Sequence, residues 1–260
     1  MEAFRRGWAI QWRVIHAMML RELTTRYGRD NIGFLWIMVE PLLFAVFVGI
    51  LWRYERGETD HSIGIFAFVA SGYLPMVMFR STVSRATGIF QANSSLLYHR
   101  QVKILDLVVV RFLVELIGHM MAFLFIWCVF MALGLASLPY DVGFLLLGWL
   151  YFSLFTFAVA TIAAPLSQMS EVVEKFVPIS TYMMVPFSGA FFLADWLTPD
   201  FRAVVLYSPP VHGMEMLRYG LFGPVVYPYY SYTYPLAIIG PLLLIGLALC
   251  RHVRRTIVVE

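Results

Sequence analysis

Six stretches of the chain stay apolar long enough to cross a bilayer: 32–52, 62–79, 105–135, 142–165, 176–193 and 234–250. A span needs roughly 20 apolar residues. Pro178 and Pro186 fall in the fifth stretch and Pro241 in the sixth. Proline is tolerated in a bundle because neighbouring helices and hydroxyls satisfy the carbonyls it frees. Residues 7–27 have another pattern. Trp8, Trp12, Ile15, Met19 and Leu23 recur at spacings of three and four, with Arg13, Arg21 and Thr24 opposite. That predicts an amphipathic helix lying in the interface plane, or alternatively a cytosolic helix packed on the rest of the protein.

The connections differ in character. Arg53–His61 is short and polar, Ser137–Asp141 is a tight turn around Pro139, and Ser167–Lys175 is a short link. Two are long, at 80–104 and 194–233. The stretch Ser188–Gly223 is too polar and too broken by proline to span as one helix, yet too apolar for a solvated loop. A half-buried, interrupted segment of that kind suits an exit gate or a re-entrant hairpin.

Composition agrees with the hydropathy pattern. The chain has 260 residues, of which 60% are hydrophobic and 13% charged, and a mean hydropathy of +0.76. So little charge points to an integral membrane protein and leaves no room among the spans for a soluble catalytic domain. Fifteen of the 19 Lys and Arg residues fall in the N-terminal segment, the 80–111 region, Lys175 and the C-terminal segment. The positive-inside rule then places both termini in the cytoplasm, in keeping with an even number of spans. Arg13, His16 and Arg21 interrupt the residues after Arg5 and Arg6, so a cleavable signal is not expected. Cys128 and Cys250 fall towards opposite faces, and no disulfide is expected between them.

Candidate chemistry is sparse. The sequence has no phosphate-binding G-x-x-x-x-G-K-[ST] loop, so any ATP-driven work requires a nucleotide-hydrolysing partner chain. The histidines are scattered, and none sits at metal-ligand or HExxH spacing. No catalytic or metal residue is therefore expected, and no nucleic-acid partner. Ionisable groups in spans are costly unless paired or facing an aqueous path. Arg111, Glu115 and His119 recur at i, i+4 and i+8, either as a polar strip or with a local Arg111–Glu115 ion pair. Glu40, before Pro41, faces a cavity or accepts bonds from a neighbouring helix. His212 and Glu215 lie three apart. Tyr227, Tyr229, Tyr230, Tyr232 and Tyr234 form a cluster that stacks on sugars or belts the headgroup region. Arg53, Arg56, Arg202 and Arg218 either attract an acidic substrate or are solvated surface charge. Asn93–Asp106 contains Leu96, Leu97, Tyr98, His99 and Arg100, a mixed segment suited to docking a partner or serving as a connector.

Three motifs carry a resemblance. MLRELTTRYGRDNIGFLWIMVEPLL (Met19–Leu43) looks like a basic interface helix leading into span one, and LLYHRQVKILD (Leu96–Asp106) like a coupling segment. SGAFF…DWL with SPPVHGMEMLRYGLFG (Ser208–Gly223) looks like an outer segment between spans five and six. In this order, over essentially the whole chain, they resemble the permease subunits of ABC-2 type exporters, and among them those of capsular polysaccharide. His99, Arg100 and Ile104 depart from the coupling pattern, and Ser208 stands where asparagine is common.

The resemblance implies an all-α integral membrane domain over 1–260. It would have six spans, an interface helix at 7–27, a cytoplasmic coupling helix within 84–104, and a gate at 194–233 of re-entrant helices broken at Pro199 and Pro209–Pro210. It further implies a multi-pass homodimer in the bacterial inner membrane that binds two cytosolic ABC ATPases, which hold ATP and Mg; no cofactor is implied on this chain. A periplasmic adaptor and an outer-membrane channel are implied as well, with a lipid-linked acidic polysaccharide as substrate. Glu40, Glu115, His119, His212, Glu215, Arg218, Tyr227 and Tyr230 become candidates for the path or gate. Leu96, Leu97, Tyr98, His99 and Arg100 become candidates for coupling. The alternatives are an ABC-2 exporter of another polymer, lipid or drug, and a membrane enzyme acting on lipid-linked sugars.

Overall fold

Long apolar helices organise the computed structural model, which describes residues 2–27, 33–56, 59–60, 63–97 and 102–257. α1 (Glu2–Tyr27) precedes α2 (Gly33–Arg56). A small antiparallel pair comes next, β1 (Thr59–Asp60) and β2 (Ile63–Gly64), with Thr59 opposite Gly64 and Asp60 opposite Ile63. Then come α3 (Ile65–Ala86), two short helices, α4 (Ile89–Ala92) and α5 (Ser94–Leu97), then α6 (Ile104–Ala132) and α7 (Val142–Met169). The chain ends with α8 (Glu171–Met183), α9 (Pro199–Val205), α10 (Pro209–Phe222) and α11 (Thr233–Ile257).

Among the described residues five helices are long and apolar enough to cross a membrane: α2, α3, α6, α7 and α11. The fifth stretch expected to span, 176–193, does not form one helix. α8 stops at Met183, and a 3-10 turn, Val185–Phe187, comes soon after. Pro186 disfavours the helical conformation at the residue before it, and Gly189, at φ 75°, turns the chain away. The 13 residues of α8 reach only about 20 Å, against a hydrocarbon core of about 30 Å.

α3 also runs past the expected end of its span at 79, through Ala86. The connection after it is correspondingly shorter. Gly88, at φ 65°, turns the chain into α4 and α5. Leu96 and Leu97 pack half-buried against the core. Tyr98, His99 and Arg100 lie outside the described residues.

α3 lies innermost, against α2, α6, α7 and α8. Phe68, Leu74 and Met78 of α3, Phe123, Ile126 and Phe130 of α6, and Phe152 of α7 are nearly inaccessible. Helices in lipid associate through van der Waals fit and small residues rather than through a solvent-driven effect. α10 shows this against α7. A Cβ on Gly220 would lie 2.2 Å from the Leu145 nitrogen, and one on Gly213 2.9 Å from that of Phe152. The two helices therefore touch backbone to backbone and run antiparallel. This fit fixes the height and rotation of α10, and with them its polar face.

α1 presents Gln11, Val14, Ile15, Met18 and Glu22 towards the protein, half-buried. Trp8 and Trp12, expected in the same apolar stripe as Ile15, instead face outwards, 67% and 62% exposed.

Candidate functional site

His212, Glu215 and Arg218 recur at intervals of three along α10 and so share one face. Their exposures are 5%, 1% and 0%. Each holds the backbone of a different neighbouring segment. Arg218 donates to the carbonyls of Gly189, Ala190 and Phe192 in the turn after α8, and from Nε to Ser71 Oγ on α3 at 3.3 Å. Its Cζ lies 4.1 Å from the centroid of the Phe68 ring. Glu215 accepts the Ala194 amide at 3.0 Å on one oxygen and the Tyr229 amide at 3.4 Å on the other. His212 accepts the Ser231 amide on Nδ1 at 3.0 Å, which leaves the ring proton on Nε2, 2.9 Å from the Leu206 carbonyl.

Burial sets the ionisation of this face. It lowers the pKa of His212, with the Leu206 carbonyl opposing. It pushes the Glu215 carboxyl up to about 7, against the Ala194 amide, the Arg218 guanidinium and the Tyr229 amide. It brings Arg218 down to about 9, opposed by Glu215. At neutral pH the arginine is a cation and the histidine is neutral. A cavity of about 320 Å³ opens between β2, the turn after α6 and Phe222, and none of the three polar side chains lines it.

Arg202 adds a second staple. Its guanidinium donates to the carbonyls of Ala194, Asp195 and Leu197 and to Tyr229 Oη at 2.7 Å, and its Cζ lies 4.2 Å from the centroid of that ring. The reading of Arg202 and Arg218 as solvated surface charge is therefore corrected: both cations are engaged with backbone carbonyls. Tyr227 is 63% exposed and stands 5.0 Å from Tyr229, ring to ring. Tyr230 is half-buried, 6.0 Å from Phe144 and 5.3 Å from Tyr232.

A second polar cluster ties α1 to the start of α6. Arg111 pairs with Glu22 at 3.0 Å, and Arg21 donates to Asn93 at 3.2 Å. Gln11 donates to Asp106, whose other oxygen accepts the Lys103 amide at 2.9 Å and caps α6. Glu115, 2% exposed, receives Arg85 of α3 and His119, each at 3.5 Å. The strip Arg111–Glu115–His119 is thus tied to α1 and α3. Glu40 is exposed on α2.

The family of ABC-2 type transporters matches residues 13–222. The chain belongs to that family. Among relatives of this ABC-2 type chain, the capsule polysaccharide export inner-membrane protein BexB of Haemophilus influenzae is 38% identical over 96% of this chain and 94% of its own length. The capsule polysaccharide export inner-membrane protein CtrC of Neisseria meningitidis serogroup B is 38% identical, over 95% and 93%. The polysialic acid transport protein KpsM of Escherichia coli is 24% identical, over 95% and 96%. The ABC-2 match ends at Phe222, the last residue of α10, so His212, Glu215 and Arg218 and the whole second cluster lie within it, save Gln11.

Sequence reasoning on this ABC-2 chain missed Ser71, Gln11 and Asp106. Asp106 carried a readable signal, an acid in the first turn of a helix just after a basic residue. Ser71 and Gln11 carried none, because their partners are 147 and 95 residues away.

Proposed function

We propose that this chain is the membrane-spanning permease subunit of an ATP-driven exporter that carries lipid-linked capsular polysaccharide across the bacterial inner membrane. The observation that carries the reading is the match to capsule export proteins over almost the whole of both chains, at 38% identity. The geometry agrees with it: one polar cluster binds the segments around α10 together, and the other binds α1 to α6, the long helix after α4 and α5.

In this reading two copies pair, and the exposed apolar faces of α2 and α8 meet lipid or the second copy. Two cytosolic ABC ATPases, which hold ATP and Mg, dock beside α1, α4 and α5. Both termini are cytoplasmic. α9 and α10 form re-entrant helices at the periplasmic side, while 171–193 completes a sixth, interrupted crossing. An adaptor and an outer-membrane channel take over the polymer. The chain itself performs no hydrolysis.

The test is reconstitution of the chain in vesicles with and without its ATPase. ATP-dependent movement of lipid-linked acidic polymer, seen only when both chains are present, is the expected result. Movement without the ATPase, or movement of small lipids but no polymer by the complete transporter, would overturn the reading.

A further inference from the structure

The span α3 carries a second, half-buried cation, Arg80, whose surroundings differ from those of Arg218. Arg218 is enclosed by carbonyls and a hydroxyl. Arg80 has the Tyr182 ring of α8 against it, with Cζ 3.8 Å from the centroid. Its Nε is buried and meets no acceptor, and among the described residues no carboxylate pairs with the guanidinium. A guanidinium has five N–H donors in one plane. A cation inside a span with its donors unused is costly unless something fills them.

The surroundings say what fits. Tyr73 lies two helical turns, about 10 Å, before Arg80 on the same face of α3. Phe44 of α2 stacks on Tyr73 at 3.8 Å. α3 touches both α2 and α8, which present exposed Leu43 and Phe47, and Phe176 and Ile179. Arg80 and Tyr73 are therefore partly exposed polar groups between two apolar helix faces. Stacking on Tyr182 occupies one face of the guanidinium and leaves its donor edge available. The group that matches a planar donor edge is a bidentate oxyanion. A neutral sugar hydroxyl leaves the charge uncompensated.

We propose that Arg80, seated on Tyr182, binds a phosphate or carboxylate group entering between α2 and α8. The anion comes from an acidic polymer or its lipid end, which rests on the export reading above, or from a bilayer phospholipid of the same chemistry. Tyr182 is a positioning residue: it orients the donor edge and carries no charge itself.

The experiment uses the full chain in phosphatidylcholine nanodiscs, with retained ligands counted by native mass spectrometry. The probes are phosphatidylglycerol and a sialic-acid oligomer. Wild type should retain more of one probe than Arg80→Gln does. Tyr182→Leu should weaken retention several-fold with the charge intact. Arg80→Lys should restore it only in part, because an ammonium lacks the planar edge. Arg80-dependent retention of phosphatidylglycerol alone identifies a bilayer source, and retention of the oligomer identifies the polymer; either supports the site. Equal retention of both probes by wild type, Arg80→Gln and Tyr182→Leu overturns it. Should Arg80→Gln elute as aggregate, Tyr182→Leu decides. In the vesicle assay, a wild-type transporter that moves no polymer defeats the export reading and leaves the binding counts standing. Unchanged export and unchanged retention in Arg80→Gln defeat the site and leave export standing.

Discussion

The carbonyl of Ala190 occupies the space that a side chain on Gly72 would need. A Cβ there would lie 1.8 Å from that oxygen, to which Arg218 donates, and 2.6 Å from Arg218 Nη2. α3, the turn after α8 and α10 thus meet at one point. Gly72→Ala should push the turn away and cost about 1–3 kcal/mol, as overpacking does. Thermal unfolding in detergent would show it as a lowered midpoint. Gly7→Ala, inside α1 with nothing within 4 Å, serves as the control and should leave the midpoint unchanged or slightly raised.

Arg218→Met should be more damaging. It leaves three carbonyls without their donor and Glu215 without its neighbouring cation. Breaking a buried charged network from one side costs about 3–5 kcal/mol. Arg218→Lys should rescue little, because an ammonium cannot meet a fork of spread acceptors. Limited proteolysis within 188–208 reads the outcome, and a resistant Arg218→Met protein would contradict it.

His212 gives a pH dependence of defined sign. Burial holds its pKa below the ordinary 6.5. Its contribution to stability is complete above pH 6.5 and is lost as pH falls from there towards the folded pKa. Protonation also removes the acceptor that Ser231 uses. Each pH unit within that window costs up to about 1.4 kcal/mol. Glu215 acts in the opposite sense: raised to about 7 from 4.5, it favours the fold as pH falls between those values. The informative quantity is therefore the melting difference between wild type and His212→Gln. That difference should shrink from about pH 7.5 to about pH 5.5, and an unchanged difference would rule out His212 as the responsible group.

Glu22 and Arg111 offer a charge-swap test at the other polar cluster. Each is about one-fifth exposed, so the pair should couple by roughly 0.5–1 kcal/mol. Glu22→Arg and Arg111→Glu should each reduce polymer export per ATP hydrolysed, and the double swap should recover most of it. A double variant no better than the worse single one would show that the contact does not link α1 to α6.

Much of this architecture is legible in hydropathy alone, because apolar length is a local property. The stretches at 32–52, 62–79, 105–135, 142–165 and 234–250 each overlap a long apolar helix, with ends that differ by several residues, most at α3. The break in 176–193 was half legible. Pro178 sits within α8 and does not end it, whereas Pro186 does; which proline wins depends on packing against α3 and α7. Spacing put His212 and Glu215 three apart on one face but left Arg218 among the outer arginines. It gave no hint that all three are turned inwards, because their acceptors and donors are backbone atoms that no side-chain pattern marks. Arg111 likewise showed a neighbour at i+4, while the ion pair to Glu22 joins two helices far apart in sequence.

The α10 staples bind the outer segments by their amides and carbonyls. Among the described residues, every hydrogen-bond partner of His212, Glu215 and Arg218 except the Ser71 hydroxyl is a main-chain atom. Replacing Phe192, Leu206 or Ser231 by a residue that keeps the same main-chain path should leave the staple closed, whereas Ala194 is fully buried and the Tyr229 side chain also holds Arg202. Position and identity are thus separated: α10 dictates where these segments run, and mutation is left at liberty over what they display.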